Sequence, residues 1–208
     1  MAFNKGGDTM KRIGLTLLIY LFFTTISYAY QPQTGDLIFH NSRSRLSPAI
    51  ALVTQSPYTH MGIVIVRQDK PYVFEALATV KYTPLEQWQA RGSGGHYVIK
   101  RLRQLLNQRQ QLRLVEAAKL YENKPYDIYF EWSDERIYCS ELAWKMYDTT
   151  LGIQIGERQT IGDFDLSHPL VSKKLKQFYG DKAIPLHETV ISPVAMFNSP
   201  LLFTVDQR

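Results

Sequence analysis

Arg136-Ile137-Tyr138-Cys139-Ser140-Glu141-Leu142-Ala143-Trp144-Lys145-Met146-Tyr147 holds the only cysteine of the chain, set where a short apolar run turns into a helical pattern. A thiol in the first turn of a helix sits among unpaired backbone N–H groups at the positive end of the helix dipole, and both favour the thiolate. Cys139, Leu142, Ala143 and Met146 fall at i, i+3, i+4 and i+7, so the sulfur shares the face that packs inward. Free cysteine is also among the most buried residue types, and an inward stripe is where a core thiol would sit. Glu141 adds a negative charge in the first turn, which opposes thiolate formation. Nucleophile and core filler both remain open on this stretch alone, and the rest of the chain has to decide between them.

Residues 1–29 read as a secretory signal peptide. Lys11 and Arg12 provide the positive start, Ile13 to Ile26 carries no charge, and Ser27-Tyr28-Ala29 is a small-x-small cleavage pattern. The mature domain is then expected to be 30–208, beginning at Tyr30. An uncleaved anchor is the competing reading, but the apolar run is short for a membrane span and Gln31-Pro32-Gln33 replaces a basic stop-transfer flank. With no cysteine at the cleavage point, a lipoprotein anchor is excluded, and a secreted or periplasmic location follows. A single cysteine forms no internal disulfide, and an exported free thiol calls for burial or use.

Loss of residues 1–29 removes Lys5, Lys11 and Arg12 against Asp8, which lowers the formal charge from +5 to a mild +3. The basic residues are spread out, and nothing in them indicates nucleic acid. Neither His-x-x-x-His nor Cys-x-x-Cys spacing occurs, so no metal or other cofactor is expected. Nothing in the sequence fixes an oligomeric state.

Before the cysteine, Leu37-Ile38-Phe39-His40 reads as a strand, and Ser47-Pro48 opens a short helix. Met61 to Val66 and Tyr72 to Leu77 read as a β-hairpin across the polar tip 67–71. If its loop holds an even number of residues, paired positions sum to an odd number, and His60 and Glu75 project from the same face. A glutamate inside an apolar strand needs a partner, because an unpaired buried carboxylate costs several kcal/mol. The imidazole would supply one. Taken singly, His60 also fits a strand-entrance histidine and Glu75 an outward residue, while histidines 40, 96, 168 and 187 are assigned no role.

Beyond the hairpin, Thr83-Pro84 is expected to open a short helix through Trp88, and residues 96–102 to form a strand. A helix over 108–122, capped by Asn107, presents Leu112, Val115, Ala118 and Leu120 as its apolar face. Tyr126 to Trp132 sets four aromatics among acids, suited to a cleft lining or to core packing. A basic helix over 169–179, a helix start at Ser192-Pro193 and a strand at 201–205 complete the chain.

Cys139, His60 and Glu75 supply the residue types of thiol catalysis: nucleophile, base and orienting group. The backbone N–H of Cys139 is the natural first oxyanion donor, with Tyr138 and Tyr58 as guesses for a second.

The chain resembles the circularly permuted papain-fold amidases of the YaeF/YiiX group. Gly-Asp-Leu-Ile-Phe at 35–39, Thr-His-Met-Gly-Ile-Val at 59–64, Phe-Glu-Ala at 74–76, Tyr-Cys-Ser-Glu-Leu at 138–142 and Ile-Ser-Pro at 191–193 carry that resemblance, in the order His, Glu, Cys. It implies an α+β fold, an antiparallel sheet packed against helices, with Cys139 as nucleophile, His60 as base and Glu75 as third residue. It also implies hydrolysis of an amide-type bond, in a cell-wall peptide or another small amide, through a thioester. The related lecithin-retinol acyltransferase type usually has histidine as third residue and an Asn-Cys-Glu-His style motif, where this chain has Glu75 and Tyr-Cys-Ser-Glu. Acyl transfer is therefore the second expectation, and a binding domain without turnover the third.

Overall fold

The computed structural model describes Met1 and residues 30–208, so the expected signal peptide lies outside the described residues but for Met1. Its elements in order are β1 (Leu37–His40), α1 (Ser47–Thr54), β2 (His60–Arg67), β3 (Lys70–Ala76), β4 (Val80–Pro84), α2 (Leu85–Arg91), β5 (Val98–Leu102), α3 (Gln108–Tyr121), α4 (Cys139–Leu151), β6 (Gln159–Thr160), α5 (Pro169–Tyr179), β7 (Thr189–Val190), α6 (Pro193–Phe197) and β8 (Leu202–Gln207). Six strands form one antiparallel sheet in the order β4-β3-β2-β1-β5-β8.

The β2–β3 hairpin closes through two residues only, Gln68 and Asp69, with φ of 49° and 58°. Two successive left-handed residues give the turn that matches strand twist. The loop is even, and Ile63 pairs with Phe74 and Val64 with Val73. Met61, Ile63 and Ile65 therefore share one face with Phe74 and Ala76, in a core closed by α3 and α4. Val64 and Val73 lie in the opposite core, under Leu85 and Trp88 of α2. His60 and Glu75 belong to this second face by the same alternation. Gly62 is needed between them, since a Cβ there would meet Val73 Cγ1 at 2.4 Å and the Phe74 carbonyl at 2.9 Å.

Three expectations are corrected. Residues 80–84 are a strand paired with β3, Glu75 opposite Lys81, and the helix begins only at Leu85. Proline is tolerated there because β4 is an edge strand. On α3 the buried positions are Leu114, Ala118 and Tyr121, whereas Leu112 and Leu120 are exposed. Apolar residues stand on both sides of this helix, so periodicity alone admitted two faces. Finally, α4 is buried at every position from Cys139 to Tyr147 and not along a single stripe.

The Asp36 of the Gly-Asp motif is structural. It accepts two bonds from Arg101, at 2.6 and 2.8 Å, and one from the Tyr30 hydroxyl at 2.6 Å, which ties residue 30 to the sheet. At the other end of the chain, β6 and β7 pair with each other. They bracket an excursion that brings α5 against α1.

Candidate active site

Cys139 is the first residue of α4, and Tyr138 before it is extended, so the thiol emerges where the helical N–H groups lack intrahelical partners. The helix start is fixed from one side, with Glu141 Oε2 accepting from the Tyr138 N–H at 3.3 Å. Ser140 secures the same turn to the chain beyond β7 by donating its hydroxyl to the Ile191 carbonyl at 2.7 Å. Cys139 is 3% exposed.

His60 opens β2, and its Nε2 lies 2.6 Å from Glu75 Oε2. The same ring faces the Cys139 thiol, and each group shifts the protonation of the other. With Nε2 committed to Glu75, Nδ1 is the ring nitrogen left for the sulfur. The structure thus brings together all three residues singled out in the sequence. Burial disfavours the charged forms of both members of the pair, but their mutual hydrogen bond and charge interaction win. Burial opposes a thiolate at Cys139, yet the His60 bond and charge and the N–H groups of Met61 and Ser140 hold the thiol below its ordinary value. Burial likewise opposes a cationic His60, and its bonds to Cys139 and Glu75 raise it to about 9. Both shifts run in the direction that favours a thiolate–imidazolium pair over the neutral one.

Glu75 is completely buried and accepts four hydrogen bonds. Besides His60, Thr83 Oγ1 donates to Oε1 at 2.6 Å, and Trp88 Nε1 and Arg91 Nη2 donate to Oε2 at 2.9 and 2.5 Å. Burial alone would raise its pKa. His60, Thr83 and Arg91 outweigh that and lower it to about 2.

Sequence reading missed Thr83, Trp88 and Arg91, although a buried carboxylate has about four acceptor positions to fill and one imidazole leaves most of them empty. It also left the second oxyanion donor open between Tyr138 and Tyr58. The Tyr138 hydroxyl accepts from the Ile191 N–H at 3.0 Å and keeps its own proton to donate, and Tyr58 stacks on Phe197 at 4.0 Å. The phenol beside the sulfur is Tyr126, which keeps its proton because burial and then the charge of Cys139 raise its pKa. A bridge from Tyr126 to Ile137 carries it there.

The thiol opens into a pocket between α1 and α5. Its walls are Ala49, Ile50 and Val53 of α1, Tyr126, Ile128 and Phe130 of the aromatic segment, and Val171, Leu175 and Phe178 of α5; Lys174 is the one charged residue of the lining.

The family model described as "Permuted papain-like amidase enzyme, YaeF/YiiX, C92 family" matches residues 31–206. The uncharacterized protein YiiX of Escherichia coli (strain K12) is 52% identical over 189 residues, 91% of this chain and 93% of that protein. The crystal structure of metalloprotein yiiX from Escherichia coli O157:H7 (DUF1105) matches with a TM-score of 0.84 at 54% identity, over 86% of this chain and 99% of that one.

Proposed function

The chain belongs to the permuted papain-like amidase family, and from that premise we propose that it is a cysteine hydrolase whose substrates are amides of apolar acyl chains. Cys139 attacks the amide carbonyl as the thiolate. The oxyanion is received by the Cys139 N–H and the Tyr126 hydroxyl, and His60 passes its Nδ1 proton to the departing amine. The resulting thioester is cleaved by water, from which neutral His60 takes a proton. Glu75 keeps the imidazole aimed and offsets its charge throughout.

The lining of the pocket carries the choice of substrate. A cell-wall peptide presents carboxylates and amines that need charged or hydrogen-bonding partners, and among the lining residues only Lys174 is charged. An acyl chain needs none. Because Cys139 is nearly closed off from solvent, an amine or alcohol entering with the substrate competes with water for the thioester, which makes acyl transfer the second reading. The uncharged run and cleavage pattern of residues 13–29 support export as the setting of this activity.

The solved relative is described as a metalloprotein. In this chain His60 divides its ring nitrogens between Glu75 and Cys139, and His40 lies flat on Trp88. Among the described residues no group of three or more His, Cys, Asp or Glu is placed to hold a metal ion. The proposed steps use side chains alone.

Release of p-nitroaniline from N-acyl-p-nitroanilides of increasing chain length tests the reading. Each buried methylene contributes about 0.8 kcal/mol, so kcat/KM rises roughly fourfold per carbon until the pocket is filled. The Cys139→Ala variant is expected to be inactive. Equal or faster cleavage of polar peptide anilides would overturn the apolar assignment, and a Cys139 that alkylates only after denaturation would overturn catalysis and leave a binding domain.

A further inference from the structure

His40 ends β1 directly opposite His60 in the β1–β2 register. It is 1% exposed, and neither of its ring nitrogens has a hydrogen-bond partner. Such a site is costly for an imidazole, because buried polar atoms without partners forfeit their hydration, and an apolar side chain would avoid that cost. What the ring does have is aromatic contact. It stacks on the Trp88 indole at 3.8 Å and 14°, and its centroid is 5.4 Å from that of His60. Trp88 in turn lies 6.0 Å from His60 at 23°. Gly92 closes the block, since a Cβ there would stand 3.1 Å from His40 Nδ1. The His60 imidazole is therefore held at its edge by Glu75, faces Cys139, and is bordered by the Trp88 ring at 23° and the His40 ring at 36°.

We propose that His40 is a positioning residue for His60, a flat ring clamped on Trp88 that fixes the plane in which His60 reaches Glu75 and Cys139 together. The inference rests on the thiolate–imidazolium reading given above. Burial, followed by the charges of His60 and Arg91, lowers His40 to about 3. Among the charged and titratable groups around His60, which are Glu75, Cys139, Arg91 and His40, the last therefore adds no third cation beside His60 and Arg91 to compete for Glu75.

Iodoacetamide alkylation of Cys139, the sole cysteine, followed by mass spectrometry from pH 4 to 10, reads the thiolate without requiring a substrate. His40→Leu fills the space and removes the two unpartnered nitrogens, so its Tm should equal or exceed that of the wild type. A positioning role predicts that it nonetheless raises the midpoint of the alkylation profile by about one pH unit, with about tenfold slower labelling below the midpoint. His40→Phe restores a flat ring and should recover part of the shift. A Leu profile superimposed on the wild type overturns the proposal, as do equal shifts in Leu and Phe. His60→Ala separates the two levels. If it leaves the profile unmoved, the underlying thiolate–imidazolium reading fails, whereas movement in His60→Ala without movement in His40→Leu removes only the role of His40.

Discussion

Glu75 on β3 and Glu141 on α4 are both fully buried within the framework of the site, and they titrate in opposite directions. Glu75 is lowered to about 2, while burial pushes Glu141 up to about 7. The difference lies in their donors. Four groups converge on Glu75 from β2, β4 and α2, two of them cationic at neutral pH. Glu141 has one long bond from the Tyr138 N–H, and the Lys145 ammonium stands 2.9 Å from Oε1 but out of line for a hydrogen bond. Asp127 adds a like charge nearby. A buried carboxylate with full coordination serves as a permanent anion, whereas a poorly coordinated one remains close to neutrality. Each suits its place. His60 requires a counter-charge that persists, and the thiol at the head of α4 is spared a fixed negative neighbour within its own turn.

Removing the well-coordinated carboxylate should have the largest effect. Glu75→Ala leaves His60 and Arg91 without their shared anion, which should reduce turnover on order of a hundredfold or more and destabilise the fold by about 3 kcal/mol in urea titration. Arg91 reaches solvent with a third of its side chain, which keeps that cost at the lower end for a buried pair. Unchanged turnover in a folded Glu75→Ala protein would erase the functional difference between the two carboxylates.

Glu75→Gln retains the shape and removes only the charge. His60 is raised to about 9 in part by Glu75, so the variant should lose turnover at a lower pH, its alkaline limb moving from about 9 toward the ordinary imidazole value of about 6.5. At pH 8 this amounts to about a tenfold loss. Alkylation of the thiol should not fall along with turnover on that limb, because deprotonating His60 removes the acid for the leaving amine and leaves the thiolate in place. Alkylation and turnover falling together above pH 9 would show that the limb belongs to another group.

The parity that joins His60 to Glu75 was legible in the sequence because side chains alternate with a period of exactly two residues, so an even loop settles the face without any knowledge of the turn. Cys139 at a helix start was legible for a similar reason, since a local change of pattern marks it. The other donors to Glu75 were not. Thr83, Trp88 and Arg91 meet only after β4 pairs with β3 and α2 folds back, and the Thr83-Pro84 signal was read as a helix start when it ends an edge strand. His40 escaped notice because its partnership with His60 depends on a register set across the α1 connection. Tyr126 was visible as part of an aromatic cluster, but its contact with the sulfur depends on a bridge outside any strand.

The smallest effect is expected at Glu141, and its sign separates the two carboxylates. The carboxyl is raised to about 7 in the folded chain from an unfolded value near 4.5. Between these values the folded state holds more protons than the unfolded one, so ionising Glu141 on the way to neutral pH costs stability. For Glu75 the relation is reversed. Its contribution is complete above about pH 4.5 and is lost as pH falls toward 2. Glu141→Gln removes the charge and leaves Lys145 paired with Asp134 at 2.8 Å and the Ser133 carbonyl at 2.6 Å. The variant should gain stability relative to the wild type as pH rises from 4.5 to 7, by about 1–2 kcal/mol after allowing for the lost attraction to Lys145, and the difference should be flat above about pH 7. Turnover should stay within about twofold of the wild type, since the thiolate then loses only a partly ionised neighbour. Urea titrations of both proteins at pH 5 and pH 8 measure the difference directly. If Glu141→Gln instead loses stability between those pH values, Glu141 is a charged, well-satisfied anchor like Glu75, and the contrast between the two carboxylates collapses.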